Sequence, residues 1–278
     1  MLFNRARFLW SALGLLTALV AADGAVAGGA PPPTQQDTVG IYVTATRTFF
    51  LRNANSAGNA AIKVKFGPTG STPLIGDYNA NNFDTIGVYR GLTGEFFLKN
   101  SNTPGTQNLR FRFGATGAGL VAIVGDWNGT AGDSIGLYDP VGGKFFLRNT
   151  NNGGNADLTI SFGPKSAVTA LIPLHGNWSG GDTIDGIGLY DPVTGVFRLK
   201  NDPTTSGPAD FTFSFGAPGL IPVVGNWDNN DTDTVGVYNP VTQTFFLRNS
   251  LTPGAPADHV FGFGGAGALP VSGNYDGN

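Results

Sequence analysis

The chain has 278 residues, of which only 13% are charged, and its 16 basic and 19 acidic side chains give a formal net charge of −3. This balance argues against electrostatic capture of nucleic acid or of an anionic lipid surface. The sequence contains no cysteine, so disulfides cannot staple the fold, and burial, hydrogen bonding and any bound metal must hold it together.

The N-terminal segment differs in character from the rest of the chain. Arg5 and Arg7 precede an apolar run over residues 8–22, and an Ala-Val-Ala motif follows it. The run is short for a bilayer span, so the pattern predicts a secretory signal peptide over residues 1–27 and a protein outside the cytoplasm, with no membrane span after cleavage. An uncleaved membrane anchor is the alternative. Residues 28–36, which contain three consecutive prolines, predict a short stiff spacer.

From Asp37 onward the chain repeats itself five times. Each unit contains an Asp-x-x-Gly-x-Tyr segment, a Phe-rich segment that ends in a basic residue and Asn, and a final Phe-Gly. The Tyr of this pattern is Tyr42, Tyr89, Tyr138, Tyr190 and Tyr238, so the repeat is 47 to 52 residues long. A period in this range indicates a repeat architecture. Residues present in all units are therefore interpreted as architectural, and specific chemistry is expected where a unit departs from the pattern.

Each unit predicts four short strands. Apolar runs and period-two alternation place the strands of the first complete unit at residues 74–78, 85–89, 95–99 and 109–113. The Asp-Pro-Val-x-Gly segments at 139–143 and 191–195 carry Pro and Gly where tight turns use them. No segment keeps helical spacing, so the sequence predicts an all-β fold.

Five four-stranded units predict a five-bladed β-propeller of antiparallel blades over residues 37–278. The last residues, 273–278, read as the beginning of a unit, and Asp37 stands where such a beginning would continue. We therefore expect the C-terminal strand to join the N-terminal blade and to close the ring by hydrogen bonds, which removes two sheet edges. An open solenoid is the alternative, but it would need capping repeats and has no reason to split a unit.

The loop between the first and second strands of each unit carries the residues that could bind a metal. Oxygen side chains at alternate positions, followed by a carboxylate, can wrap a hard cation, since Ca²⁺ takes about six to eight oxygen ligands. The alternative is that these side chains form Asx turns with their own backbone and need no ion. The candidate metal ligands are Asp77, Asn79, Asn81, Asp84, Asp126, Asn128, Asp133, Asn226, Asp228, Asn230 and Asp233.

These loops, together with the Phe-Gly at each blade's end, make residues 37–278 resemble the FG-GAP and VCBS repeat family, which includes integrin-α-like propellers. The resemblance implies blades that bind Ca²⁺ in Asp-x-Asp-x-Asp-Gly-x-x-Asp loops. Here Asn replaces Asp at many positions, and Thr130 and Ser179 occupy ligand positions. Fewer charges predict weak Ca²⁺ binding. The best candidates are the carboxylate pairs Asp77 with Asp84, Asp126 with Asp133, and Asp228 with Asp233.

Three other features have a structural and a functional interpretation. The aromatic series Tyr78, Trp127, Trp178, Trp227 and Tyr275 is expected to pack between blades, and the alternative is that it stacks on sugars. The basic series Arg52, Lys99, Arg148, Lys200 and Arg248 is expected to be partly buried and paired with a nearby Asp. The alternative for this series is an anionic ligand. Arg198 replaces a Phe found in the other four units, and we expect it to lie at a blade edge. The alternative for Arg198 is that it marks a binding site.

No catalytic constellation stands out from the repeat. The two histidines, His175 and His259, are too scattered to suggest zinc, and no nucleophile is paired with a base. The sequence therefore predicts a secreted, non-catalytic recognition or adhesion scaffold that binds an extracellular protein or a glycan, with Ca²⁺ as a weak cofactor. A multivalent carbohydrate-binding lectin and an extracellular hydrolase with its residues on the loops are the alternatives.

Overall fold

The computed structural model describes residues 36–117, 119–130, 132–164 and 171–276. The predicted signal peptide, residues 1–27, and residues 28–35 of the predicted spacer lie outside the described residues, so those boundaries stay predictions. Within the described ranges, no helix is long and apolar enough to cross a membrane.

Twenty short strands occupy the described residues. In chain order they are β1 (Thr38–Val43), β2 (Thr48–Leu51), β3 (Ile62–Lys65), β4 (Thr72–Gly76), β5 (Thr85–Arg90), β6 (Glu95–Leu98), β7 (Leu109–Arg112), β8 (Val121–Gly125), β9 (Ser134–Asp139), β10 (Lys144–Leu147), β11 (Leu158–Ser161), β12 (Ile172–Gly176), β13 (Gly186–Asp191), β14 (Val196–Lys200), β15 (Phe211–Ser214), β16 (Ile221–Gly225), β17 (Thr234–Asn239), β18 (Thr244–Leu247), β19 (His259–Gly262) and β20 (Ala268–Gly273).

The strands form five four-stranded antiparallel sheets. Blade 1 has the order β20-β1-β2-β3, and blades 2 to 5 are β4–β7, β8–β11, β12–β15 and β16–β19. The first strand of each sheet is innermost, and β4, β8, β12, β16 and β20 contact one another in cyclic order around a central channel. The protein is therefore a five-bladed β-propeller, which confirms the prediction.

The ring closes where the two ends of the propeller meet. Strand β20 pairs with β1 over six residues, from Thr38 opposite Gly273 to Val43 opposite Ala268. Blade 1 thus takes its inner strand from the C-terminal part of the chain and its other three from the N-terminal part, as expected. Because the chain has no cysteine, this closure depends on the backbone ladder and on packing.

The strand bounds of blade 2 differ from the prediction mainly at its inner strand. The predicted strand at 74–78 lies two residues earlier, at Thr72–Gly76. It ends there because the Asp77 carboxylate accepts hydrogen bonds from the backbone N–H groups of Asn79, Asn81 and Asn82 and starts a turn. The other three strands of this blade agree with the prediction to within one residue.

The hydrophobic core lies mostly between blades. One cluster, for example, joins Tyr78 and Leu98 of blade 2 to Val124 and Ile135 of blade 3. The predicted aromatic series is at most 7% exposed and packs in these joints, as expected. The Tyr78 ring packs against the second strand of its blade at Gly87. Only a glycine fits there, because a Cβ at Gly87 would lie 2.7 Å from the Tyr78 hydroxyl oxygen. These rings are therefore unavailable to a sugar.

The basic series organises loops instead of pairing regularly with Asp. The Arg52 guanidinium donates to the carbonyl oxygens of Ala54, Ala57 and Asn59, and the Lys99 ammonium donates to the carbonyl of Thr106. In the described residues, only Arg148 of this series forms an ion pair, at 3.3 Å from Asp157. The expectation of one Asp partner per blade was wrong, because the loop between the third and fourth strands turns its carbonyl oxygens inward and these need donors.

Candidate functional site

Five aspartates, one from each blade, form a ring around one mouth of the central channel. Each carboxylate accepts a hydrogen bond of 2.8–3.1 Å from a backbone N–H of the neighbouring blade, as Asp133 does from Asp77. Each aspartate's own N–H donates back to that neighbour's carbonyl oxygen at 2.7–2.9 Å. Two hydrogen bonds therefore join every pair of adjacent blades. The members of this aspartate ring are Asp37, Asp84, Asp133, Asp185 and Asp233.

A glycine at the end of each inner strand makes room for the ring. A Cβ on Gly76 would lie 2.7 Å from Asp133 Oδ2, and one on Gly273 would lie 2.7 Å from Asp84 Oδ2. Real side chains do not approach so closely, so the neighbouring carboxylate can reach the backbone only where the strand ends in Gly. This steric requirement explains why a Gly precedes the first loop in all five units.

The ring concentrates like charge at the channel. Burial is the main cause of the raised pKa values of four members, Asp37, Asp84, Asp133 and Asp233, and neighbouring carboxylates raise these values further. The pKa of Asp84 rises to about 6 and that of Asp233 to about 7, and the pKa values of Asp37 and Asp133 rise well above the usual value. The backbone N–H donors oppose these shifts.

His175 is the histidine of the channel. It occupies the position before the strand-ending Gly, where the other units have Ile75, Val124, Val224 and Ser272. Its Nδ1 lies 3.3 Å from Asp185 Oδ2. Burial alone would lower the pKa of His175, but the hydrogen bond to Asp185 and the charges of Asp185, Asp133 and Asp233 raise it above the usual value. Sequence reasoning missed this role, although the departure from an aliphatic series was the available signal.

The channel encloses about 390 Å³ and has an acidic mouth and aliphatic walls, which include Pro73, Ile75, Pro173 and Pro222. The described residues contain no group of three or more His, Cys, Asp or Glu side chains that could hold a metal ion. The ring carboxylates are therefore spread around the channel and do not converge on one point.

The structure separates the two halves of each predicted calcium loop. Asp84, Asp133 and Asp233 join the aspartate ring, whereas the earlier loop residues bond within their own loops, and of these Asn226 is buried. The Asp126 carboxylate accepts from the N–H groups of Asn128 and Gly129, in the same way as that of Asp77.

The remaining candidate ligands form similar local hydrogen bonds. The side-chain oxygens of Asn81, Asn128, Asn226 and Asn230 accept from nearby backbone N–H groups, and Asp228 accepts from the Asn230 amide. The side chain of Asn79 is exposed. These bonds are those of Asx turns. Ca²⁺ binding by these loops stays a prediction.

The opposite face of the propeller carries exposed aliphatic side chains. They lie in the turns between second and third strands, which are remote from the aspartate ring because each second strand leads away from it. Asx bonds shape these turns: the N–H groups of Val141, Val193 and Val241 donate at 2.9 Å to Asp139, Asp191 and Asn239. The exposed side chains, hereafter the apolar turn residues, are Leu92 (74% exposed), Val141 (62%), Val193 (67%) and Val241 (86%).

Comparison with known proteins yields a likeness of fold and no family. No protein-family model and no curated protein sequence matches the chain. Two crystal structures of BBS1N in complex with ARL6DN, one soaked with lead and one with mercury, are similar to it, with TM-scores of 0.39 and 0.37 and sequence identities of 9% and 8%. They cover 76% and 71% of this chain, and the chain spans 58% of the length of each. At this level of similarity, no activity or partner is transferred to this chain.

Proposed function

We propose that this protein is a non-catalytic recognition scaffold that works outside the cytoplasm and binds a protein partner through its apolar turn residues. The observation that carries this proposal is the recurrence of an exposed aliphatic side chain at the equivalent turn of four of the five blades. Single exposed apolar residues are ordinary, but a repeated set on one face is typical of an interaction surface. The five turns contain a single charged residue, Arg47.

A protein partner is favoured over a glycan because the aromatic series is buried. A multivalent lectin built on the repeat would need those rings at the surface to stack on sugars. Catalysis has less support, since in the described residues no Ser or Thr hydroxyl is hydrogen-bonded to His175, the one histidine paired with a carboxylate. The location outside the cytoplasm, the kinship with FG-GAP and VCBS repeats and weak Ca²⁺ binding belong to the proposal on the strength of the sequence.

Replacement of the apolar turn residues tests the proposal. The variant L92S/V141S/V193S/V241S changes only exposed side chains, so we expect it to melt like wild type. A partner that crosslinks to wild-type protein in the native extracellular fluid should be lost from this variant. The control N79S/N128S changes exposed loops on the opposite face and should retain it. Equal crosslinking to wild type and to the serine variant would contradict the proposal.

The predicted cleavage of the signal peptide can be tested separately. Mass spectrometry of the protein recovered from outside the cytoplasm should find an N-terminus near Gly28. An intact Met1 in a membrane fraction would support the anchor instead.

A further inference from the structure

Charge is distributed unevenly around the propeller. Residues 37–117, which supply three strands of blade 1 and all of blade 2, contain eight Lys and Arg and four Asp and Glu, whereas residues 118–278 contain six and fourteen. The formal charges of the two parts are therefore +4 and −8. An uneven charge distribution of this kind steers a charged partner to one side of a protein. An anionic partner is attracted to blades 1 and 2.

A groove between blades 1 and 2 collects much of this positive charge. It measures about 370 Å³, and its lining includes Arg47 and Lys65 of blade 1 and Phe97 and Thr106 of blade 2. The guanidinium carbon of Arg110 lies 5.1 Å from the centre of the Phe97 ring, which places a third cation at this groove. The feature is called the basic groove below.

A fourth cation lies beneath the basic groove. Lys99 is only 3% exposed. Its ammonium donates to the Thr106 carbonyl at 3.1 Å and lies 5.7 Å from the centre of the Phe66 ring, and both of these residues line the groove. Lys99 forms no ion pair within the described ranges. A buried charge without a counterion is costly, so an anion in the groove would be stabilised by it.

The cations of the groove exceed the carboxylates that pair with them. In the described residues, Glu95 is the one carboxylate in ion pairs with this set, at 2.9 Å from Arg110 and 3.7 Å from Arg112. The side chains of these two arginines are 56% and 68% exposed. Arg47 and Lys65 form no ion pair in the same part of the structure. Positive charge therefore remains available to a ligand.

This concentration of charge is a departure from the repeat. The positions of Arg47, Lys65 and Arg110 recur at every joint between blades, and no other joint has more than one cation at them. The equivalent residues are Gly94, Arg112 and Thr159 between blades 2 and 3, Gly143, Ser161 and Thr212 between blades 3 and 4, Gly195, Ser214 and Val260 between blades 4 and 5, and Gln243, Gly262 and Lys63 between blades 5 and 1.

Arg47 occupies a backbone position that suits glycine. Its φ is 57°, and three of the other four units have Gly there with φ between 61° and 70°. A residue with a Cβ is strained in this conformation, and such strain is often found at functional sites. The Arg47 guanidinium donates to the Gly67 carbonyl at 2.9 Å, which holds the side chain along the groove.

We propose that the basic groove binds a short acidic segment of the protein partner, whose carboxylates pair with Arg47, Lys65 and Arg110. This inference rests on the proposed function, because it names the chemistry of the partner that contacts the apolar turn residues. Arg47 lies in the blade 1 turn that is equivalent to the turns carrying those residues, so the groove adjoins the same face.

The chemistry of the groove favours carboxylates on a short segment of protein. Glu95 shows that a carboxylate fits the arginines of blade 2, and planar guanidinium groups match carboxylates well. Phe66 and Phe97 are at most 8% exposed, so neither ring is open for a sugar to stack on. A long polyanion, such as nucleic acid or an acidic polysaccharide, would extend past blades 1 and 2 and meet the charge of −8 on the rest of the ring.

The repeat itself supplies variants that should fold. Arg47→Gln introduces the residue of blade 5, where Gln243 has a φ of 58°, and Lys65→Ser introduces the residue of blade 3. Arg110→Thr, also drawn from blade 3, is a second and independent variant. The matched control K144T/R198F removes two positive charges outside the groove and introduces the residues that blade 5 has at those positions.

The probe is a fluorescein-labelled peptide of eight glutamates, and its binding to the full chain is measured by fluorescence anisotropy. We expect wild type to bind this octaglutamate more tightly than a neutral octaserine, and the binding to weaken as salt is raised. R47Q/K65S should weaken the binding at least about tenfold, as for the loss of close charge pairs, and R110T should weaken it about threefold. K144T/R198F should bind the peptide like wild type.

Four results would overturn the inference. Octaglutamate could bind no more tightly than octaserine, or K144T/R198F could weaken its binding as much as R47Q/K65S does, which would make net charge the cause. Heparin, a sulfated polysaccharide, could bind through the same residues far more tightly than octaglutamate. In analytical ultracentrifugation, wild type could self-associate where R47Q/K65S does not, which would make a second copy of this chain the occupant.

The crosslinking experiment with L92S/V141S/V193S/V241S separates this inference from the proposed function. If that variant loses the crosslinked partner but octaglutamate does not bind wild type, the basic groove fails alone. If octaglutamate binds through Arg47 and Lys65 but the serine variant keeps the partner, the apolar turn residues fail alone.

Discussion

Each aspartate of the ring combines a structural contact with an electrostatic cost. Its carboxylate accepts a backbone hydrogen bond from the adjacent blade, as Asp84 does from Asn274 at 2.8 Å. The same placement buries the charge near other carboxylates, which raises the pKa of Asp84 to about 6. The ring therefore fixes the blades by hydrogen bonds and opposes its own full ionisation.

We predict that the protein is more stable at pH 5 than at pH 8. An Asp whose pKa is raised in the folded state binds its proton more tightly there than in the unfolded chain, so stability rises as the pH falls from above the folded pKa towards the usual value. For Asp84 and Asp233 this window runs from about pH 7 down to about pH 4. The raised pKa of His175 acts in the same direction. Calorimetry at constant ionic strength across this window measures the effect.

Asp84→Asn isolates one member of the ring. The amide keeps an oxygen that can accept from Asn274 and removes the charge. At pH 8 we expect this variant to melt a few degrees above wild type. A change of this size corresponds to about 1 kcal/mol in the free energy of unfolding for a domain of this length. The difference should vanish near pH 4. Asp228→Asn, in an exposed loop, is the control and should change the melting temperature little. A lower melting temperature for Asp84→Asn at pH 8 would show that the charge stabilises the joint.

Gly76 tests the steric side of the ring. A Cβ there would lie 2.6 Å from Val124 Cγ1 and 2.7 Å from Asp133 Oδ2, so Gly76→Ala must push the blades apart. We expect it to lower the free energy of unfolding by about 1–3 kcal/mol, as measured by urea denaturation. Gly265→Ala is the control, because no atom lies within 4 Å of its Cβ. Equal stability of the two variants would show that the joint adjusts without cost.

At the scale of elements, the first loops satisfy their polar groups locally. Asp77 and Asp126 bond to the N–H groups of their own loops, which terminates the inner strand and aims the later Asp at the neighbouring blade. A loop built this way keeps its shape without an ion. Ca²⁺ would then add stability to a loop that already exists.

We predict that Ca²⁺ stabilises the protein modestly without being needed for folding. A site with a Kd of about 0.1 mM in about 1 mM Ca²⁺ contributes about 1.4 kcal/mol, which is a few degrees of melting temperature. Asp77→Asn should remove one such increment while leaving the ring charge of Asp84 in place, so chelator should affect this variant less than wild type. If chelator leaves the melting temperature of wild type unchanged, the loops act as Asx turns alone.

At the scale of the whole molecule, the ring closes inside blade 1, where β20 and β1 are held together without a covalent link. The six-residue pairing of β20 with β1 and the hydrogen bonds of Asp37 and Asp84 to Asn226 and Asn274 join segments about 190 to 235 residues apart in the chain.

Deletion of residues 268–278 tests closure. It removes β20, exposes the inner edge of β1 and opens the channel wall, so we expect a lower melting temperature and concentration-dependent aggregation. Differential scanning calorimetry and light scattering measure both. Ser272→Ala, which removes one hydroxyl hydrogen bond to Val224, is the mild control. A truncated protein that melts cooperatively at the wild-type temperature would rule out closure by β20.

The sequence by itself determined the all-β class, the five blades and the closure by the terminal strand. These follow from the repeat period and from strand alternation, which are local properties of the chain. It also predicted the interior position of the aromatic series. The sequence showed that the loops carry polar side chains, but it did not predict which of these side chains come together. Oxygen side chains at alternate positions suit a calcium loop and a series of Asx turns equally well.

Only the tertiary structure decided which side chains meet. Asp84 and Asp133 lie 49 positions apart and come to one channel because each is held by a backbone N–H of a neighbouring blade. His175 lies at the same channel because it replaces the mostly aliphatic residue that precedes the strand-ending Gly in the other units. A groove of about 510 Å³ between blades 5 and 1 likewise takes residues from both ends of the propeller, Phe50 and Gly262. Such groupings depend on the angle between blades, which is set by packing in the joints and leaves no periodic trace along the chain.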